Sequence, residues 1–124
     1  MKKSSAVGRP VSLEALRDAL RKFASDRDWN QFHSPKNLAI ALNVEAAELL
    51  EHFQWMSEAD STALHPEQQA KVREEAADVL LYLIRLADKL GIDLLTAASE
   101  KITLNAKKYP VEKARGSSKK YTEL

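Results

Sequence analysis

Leu38-Ala39-Ile40-Ala41-Leu42-Asn43-Val44-Glu45-Ala46-Ala47-Glu48-Leu49-Leu50 is the stretch that decides the fold. Its apolar residues recur at intervals of three and four with no strand-like alternation, which predicts a helix. On a helical wheel at about 100° per residue, Leu38, Leu42, Leu49 and Phe53 form one apolar stripe. Glu45 falls inside that stripe and Glu48 at its edge, whereas Glu51 points the opposite way, as a solvating glutamate should. A carboxylate within a core stripe is costly unless it is paired, protonated or metal-bound.

A second acidic pair, Glu75-Ala76-Ala77-Asp78, repeats the pattern further along. The stripe there is Val72, Ala76, Val79, Leu83, Leu86 and Leu90, with Glu75, Asp78 and Tyr82 along its border and Glu74 facing away. Residues three apart project from one side of a helix. Two such helices packed together therefore gather four carboxylates, which repel and raise each other's pKa values. Hard, oxygen-seeking cations such as Mg²⁺ or Mn²⁺ relieve that repulsion. A lone acidic pair usually marks a solvated helix face. Two pairs placed in or beside core stripes point instead to a metal site for handling phosphates.

With 124 residues, the chain suits one domain with a single core. A net charge of +1 offers no general attraction to nucleic acid or to a membrane surface, so neither is expected as a partner. The absence of cysteine excludes disulfides, thiolate zinc sites and cysteine nucleophiles together. No apolar run reaches the length of a membrane span and no signal-peptide core follows Met1, so a cytoplasmic protein is expected.

Residues 1–11 lack periodicity and read as a flexible arm. A first helix is expected from the Ser12 cap to about Arg27, with Leu13, Leu16, Leu20 and Phe23 on one side. Asp28 to His33 reads as a loop. Ser34-Pro35 opens the second helix, serine as cap and proline in the first turn, and that helix is expected to end near Trp55. After a polar connection over 57–65, the third helix runs from Pro66 to a cap at Gly91. Asp93 caps a fourth, ending by Tyr109-Pro110. The expected organisation is an all-α domain of four main helices over 12–110, followed by a tail over 111–124. Leu81 and Ile84 lie away from the main stripe of the third helix, which makes it apolar nearly all round. In so short a chain this implies cover from another subunit, and hence a homo-oligomer.

Several side chains suit a phosphorylated ligand. Lys101, Asn105 and Lys108 share one face of the fourth helix, either as plain solvated surface or as holders of phosphate oxygens. Arg115, Gly116, Ser117 and Ser118 offer a guanidinium and close backbone approach to an anion, without the spacing of a Walker loop. Trp29 and Trp55 flank the first acidic helix, where indoles can sandwich a planar base. Tyr82 lies one turn beyond Asp78, and His33 and His52 can bond base or phosphate. The scattered histidines have no zinc-type spacing.

Taken together, these residues resemble the MazG-like all-α nucleoside triphosphate pyrophosphohydrolases, whose E-x-x-E…E-x-x-D signature is matched by Glu45, Glu48, Glu75 and Asp78. Within that superfamily the chain is most similar to the dCTP pyrophosphatase branch. The shared segments are Arg27-Asp28-Trp29-x-Gln31-Phe32-His33-x-Pro35, Phe53-Gln54-Trp55, Glu75-x-x-Asp78-Val79-Leu80-x-Tyr82-Leu83, Tyr109-Pro110-Val111, Arg115-Gly116-Ser117 and Lys120-Tyr121-Thr122. The resemblance implies a four-helix MazG-like bundle, assembled as a dimer or tetramer. It implies that the four acids bind Mg²⁺, with Mn²⁺ as a substitute, and act in catalysis. Trp29 and Trp55 would enclose the base; Tyr82, Lys101 and Asn105 would contact base, sugar or phosphates. The tail, with Arg115, Ser117, Lys120 and Tyr121, would close over the ligand. The implied reaction is hydrolysis of dCTP, or a 5-modified dCTP, to the monophosphate and pyrophosphate by an activated water, in sanitation of the nucleotide pool. Leu20 departs from the family, some members of which carry a histidine there. Another nucleotide, as in dUTPase-like or phosphoribosyl-ATP pyrophosphohydrolase-like enzymes, and a non-catalytic helical oligomer binding nucleotide or metal are the alternatives.

Overall fold

The computed structural model describes Arg9 and residues 11–124, so the arm expected over 1–11 falls almost wholly outside the described residues. The chain divides into two compact units, Met1–Gly91 and Ile92–Leu124. Every described element is a helix or a tight helical turn, and no strand occurs among the described residues.

Helix α1 spans Leu13–Asp26, and its Ser12 cap accepts a hydrogen bond from the Ala15 amide at 3.0 Å. Helix α2 spans Pro35–Glu51, with Pro35 in its first turn and the Ser34 hydroxyl accepting from the Asn37 amide at 3.1 Å. Both starts follow from the capping chemistry, which satisfies amides that the first helical turn leaves unpaired. The long helix α4, Pro66–Leu90, also opens on proline and stops at Gly91, whose φ of +68° is the left-handed cap conformation that glycine adopts without strain.

Local turns depart from expectation in three places. Helix α2 ends at Glu51 rather than near Trp55, because the amides of His52 and Phe53 bond back only three residues, to Leu49 and Leu50. That tightening unwinds the last turn before the Ser57 hydroxyl caps a single turn, α3, over Glu58–Ser61. The segment before α2 contains a 3-10 turn at Asn30–Phe32, entered through Asp28 at φ 54°.

The packing of α4 corrects the reading of its faces. Both α2 and α1 lie against α4. Glu75, Asp78, Val79, Tyr82 and Leu86 are all at least partly covered, whereas Ala76, Leu83 and Leu90, assigned from periodicity to the core stripe, are exposed. Ile84 is buried at 3% exposure by this chain itself. Leu81 lines a cavity with Leu20, Phe23 and Ala24 of α1. The second apolar side of α4 is thus covered from within the chain, and Leu81 and Ile84 no longer argue for a subunit contact. The core centres on Ala24, Leu38, Ile84 and Ala87.

In the second unit, Asp93 caps α5, Leu94–Lys108, by accepting from the Thr96 amide at 3.1 Å. The residues expected as a tail form a short helix α6, Val111–Ala114, and a 3-10 turn at Tyr121–Glu123. The rings of Tyr109 and Tyr121 meet edge to face at 6.1 Å, and the Lys108 ammonium sits 4.9 Å over the Tyr121 ring. No described helix is long and apolar enough to cross a membrane.

Candidate active site

Packing α2 against α4 brings Glu45, Glu48 and Glu75 together, with one oxygen from each lying within 4.8 Å of the others. All three are partly covered, and Glu45 Oε2 and Glu75 Oε2 are buried with no hydrogen-bond partner. Buried acceptors without a donor are rare in folded proteins and call for an explanation. Desolvation first, then the close approach of the Glu48 and Glu75 carboxyls and the charges of Glu48 and Asp78, pushes the Glu45 carboxyl up to about 7. Asp78 is outside the trio yet acts on it through this charge.

Asp78 also belongs to the wall of a cavity of about 250 Å³, together with Leu20, Phe23, Ala24, Trp29, His33, Leu81, Tyr82 and Arg85. Small-molecule sites typically hold about 300–1,000 Å³, so this space suits one planar portion of a ligand rather than a whole nucleotide. Trp29 stands edge-on to Phe23 at 5.6 Å and to His33 at 6.1 Å. Of the aromatic pair expected to sandwich a base, only Trp29 lines the cavity; Trp55 lies outside its lining and is 89% exposed. Lys101, Asn105, Lys108, Arg115, Ser117, Lys120 and Tyr121 all belong to the second unit and are exposed.

Sequence reasoning missed Arg85. It is the one buried charged residue among those described, at 5% exposure, and lines the same cavity. The signal was present: Asp78, Tyr82 and Arg85 follow at i, i+4 and i+7, one helical face. Two further residues complete its surroundings, Asp88 and Arg21, which pair through Arg21 Nη2 and Nε at 2.6 and 2.8 Å. That pairing, chiefly the hydrogen bond from Arg21, holds the Asp88 carboxyl below its usual range.

A family model described as the MazG-like family matches residues 40–124, which include both acidic pairs. The chain belongs to the MazG-like family. It is 45% identical over 115 residues to dCTP pyrophosphatase 1 of Rattus norvegicus, covering 91% of this chain and 68% of that protein. The Homo sapiens protein of the same name is 44% identical over the same shares. Among solved structures, a pyrophosphatase from Archaeoglobus fulgidus superimposes with a TM-score of 0.76 at 41% identity, covering 82% of this chain and 95% of that one.

MazG-like proteins are generally metal-dependent, and the donors present fit that chemistry. The orphaned oxygens of Glu45 and Glu75 are hard anionic ligands, with no nitrogen or sulfur donor in the cluster, as a hard divalent cation requires.

The raised Glu45 pKa makes a prediction for the metal-free protein. Its ordinary value of 4.5 applies to the unfolded chain and about 7 to the folded one, so between these the folded state binds more protons. Stability contributed by this group is therefore present below pH 4.5 and lost as pH rises toward 7. Thermal unfolding in chelator across this window should show that decline. The Glu45→Gln variant should show a flatter profile, and an unchanged slope would remove Glu45 as its source.

Proposed function

We propose that this protein is a Mg²⁺-dependent nucleoside triphosphate pyrophosphohydrolase that converts dCTP, or a 5-modified dCTP, to the monophosphate and pyrophosphate. One observation carries the reading: Asp78 joins a partly buried carboxylate cluster to a base-sized cavity, so a cation-bound phosphate chain and a planar base find adjacent seats. The names of the relatives from rat and man support dCTP as the nucleotide. When bound by Glu45, Glu48, Glu75 and Asp78, the ion would neutralise charge on the triphosphate and in the transition state. Trp29 and Tyr82 hold the base, fixing the phosphate chain relative to the carboxylates. A carboxylate of the cluster takes the proton of the attacking water. No side-chain nucleophile is needed, and the phosphorus-oxygen bond broken releases pyrophosphate.

Turnover measured over the nucleoside triphosphates, with and without Mg²⁺ and with both products identified, tests the proposal. Mg²⁺-dependent release of pyrophosphate from dCTP is expected. Faster hydrolysis of purine triphosphates would move the protein to another branch of the family, and no hydrolysis of any would overturn the enzymatic reading.

We also propose a homo-oligomer, on other residues than periodicity suggested. Leu80 and Leu83 of α4 and Ile40 and Val44 of α2 are between 37% and 53% exposed, and Trp55 is more so. Large apolar side chains left exposed on two helices that pack together are what a contact with a second copy would cover. Light scattering should give at least twice the 13.9 kDa chain mass, and Leu80→Asp should lower it. A monomeric unmodified protein would refute the assembly.

A further inference from the structure

Arg85 must find compensation for a buried charge, and its geometry shows where. The Asp88 carboxylate supplies the opposite charge as an ion pair 3.6 Å from Nη1, too long for a hydrogen bond, and its short contacts go to Arg21. The directed bonds of Arg85 run instead to the segment before α2. Nε donates to His33 Nδ1 at 3.1 Å, and Nη2 donates to the Asn30 side-chain oxygen.

A guanidinium carries only donors and stays protonated at any working pH. The His33 Nδ1 it addresses must therefore offer a lone pair. In a neutral imidazole the remaining proton then sits on Nε2, the one ring nitrogen left for a ligand. Burial first, then the charges of Arg85 and Lys89, lowers the His33 pKa and favours this neutral form. Both residues line the cavity that also holds Trp29 and Tyr82. Of its polar walls, His33 and Arg85 thus present donors, while the acceptors are set apart on Asp78 and Tyr82.

We infer that Arg85 is a positioning residue that holds His33 as the Nε2–H tautomer, so that this corner of the cavity selects a base edge made of acceptors. The O2 and N3 edge of cytosine meets that demand. Uracil and thymine place an N3–H against the donors, leaving buried groups without partners. This inference rests on the cavity taking the base of a nucleoside triphosphate, as proposed above. It assigns discrimination to His33 and Arg85, and affinity to the stacking surface of Trp29, which tolerates any base.

Long-range ¹H–¹⁵N spectra of the ¹⁵N-labelled, unmodified protein at neutral pH should show an unprotonated His33 Nδ1 and a protonated Nε2. The opposite tautomer, or an imidazolium, would overturn the inference without any substrate being involved. Kinetically, Arg85→Met should reduce the ratio of kcat/KM for dCTP over dUTP by about tenfold or more, chiefly through a higher KM for dCTP. Arg85→Lys should not restore that ratio, since an ammonium keeps the charge but cannot aim two fixed N–H groups at Nδ1 and Asn30. A ratio unchanged in Arg85→Met, or fully restored by lysine, would refute the positioning role. If Arg85→Met fails to fold, His33→Phe keeps a ring and removes the donor: the same loss is expected, and an intact preference refutes the idea. An unmodified protein that does not hydrolyse dCTP would instead refute the proposed substrate, with the tautomer still readable by itself.

Discussion

Replacing Glu45 with glutamine should cut turnover of the triphosphate by at least about a hundredfold while the helical circular dichroism stays intact. Losing even an outer-shell partner of a metal typically costs about 10–100-fold in affinity or activity, and Glu45 is one of the three side chains whose oxygens converge within 4.8 Å. An amide is nearly isosteric with the carboxyl, and its nitrogen can donate to Glu48 or Glu75, so the fold should lose nothing. The metal-free variant should even be the more stable form above pH 7, where the native Glu45 would have to ionise beside other acids. Asp78→Asn should act in the same direction, because Asp78 adds to the field at Glu45 and walls the adjoining cavity. Near-normal turnover in both variants would remove the carboxylate site from the mechanism.

Truncation of Trp29 should produce the second large effect, and on a different constant. Stacking of a base on an aromatic ring is worth roughly 1–3 kcal/mol, which corresponds to a rise in KM of about 5- to 150-fold. The loss in Trp29→Ala should fall on all nucleotides by a similar factor, since stacking reads the π-face rather than the hydrogen-bonding edge. Trp55→Ala is the control set by the structure: its indole is 89% exposed and does not line the cavity, so its effect on KM should be smaller. Equal increases from both variants would mean that the base lies outside the Trp29 cavity.

Local signals in the chain determined most of the element pattern. Ser12, Ser34 and Asp93 each cap a helix, Pro35 and Pro66 each stand in a first turn, and Gly91 ends α4 in the left-handed conformation. Such features act within one turn of the backbone, which is why they can be read without a fold. The spacing of Glu45, Glu48, Glu75 and Asp78 was equally legible, because carboxylates in or beside a core stripe contradict a purely structural helix.

Tertiary structure alone decided which side of α4 faces inward. A wheel ranks residues by polarity, so Leu83 and Leu90 looked buried and Glu75, Asp78 and Tyr82 looked peripheral. Packing reversed that order, since α2 covers the acidic face and α1 takes the side bearing Leu81. Arg85 was hidden for the same reason. A lone arginine on a helix is normally solvated surface, and only the approach of Asn30 and His33, 55 and 52 residues earlier in the chain, makes it a buried donor beside the cavity. Contacts between residues so far apart in sequence depend on how the helices dock, and periodicity within one helix carries no information about that.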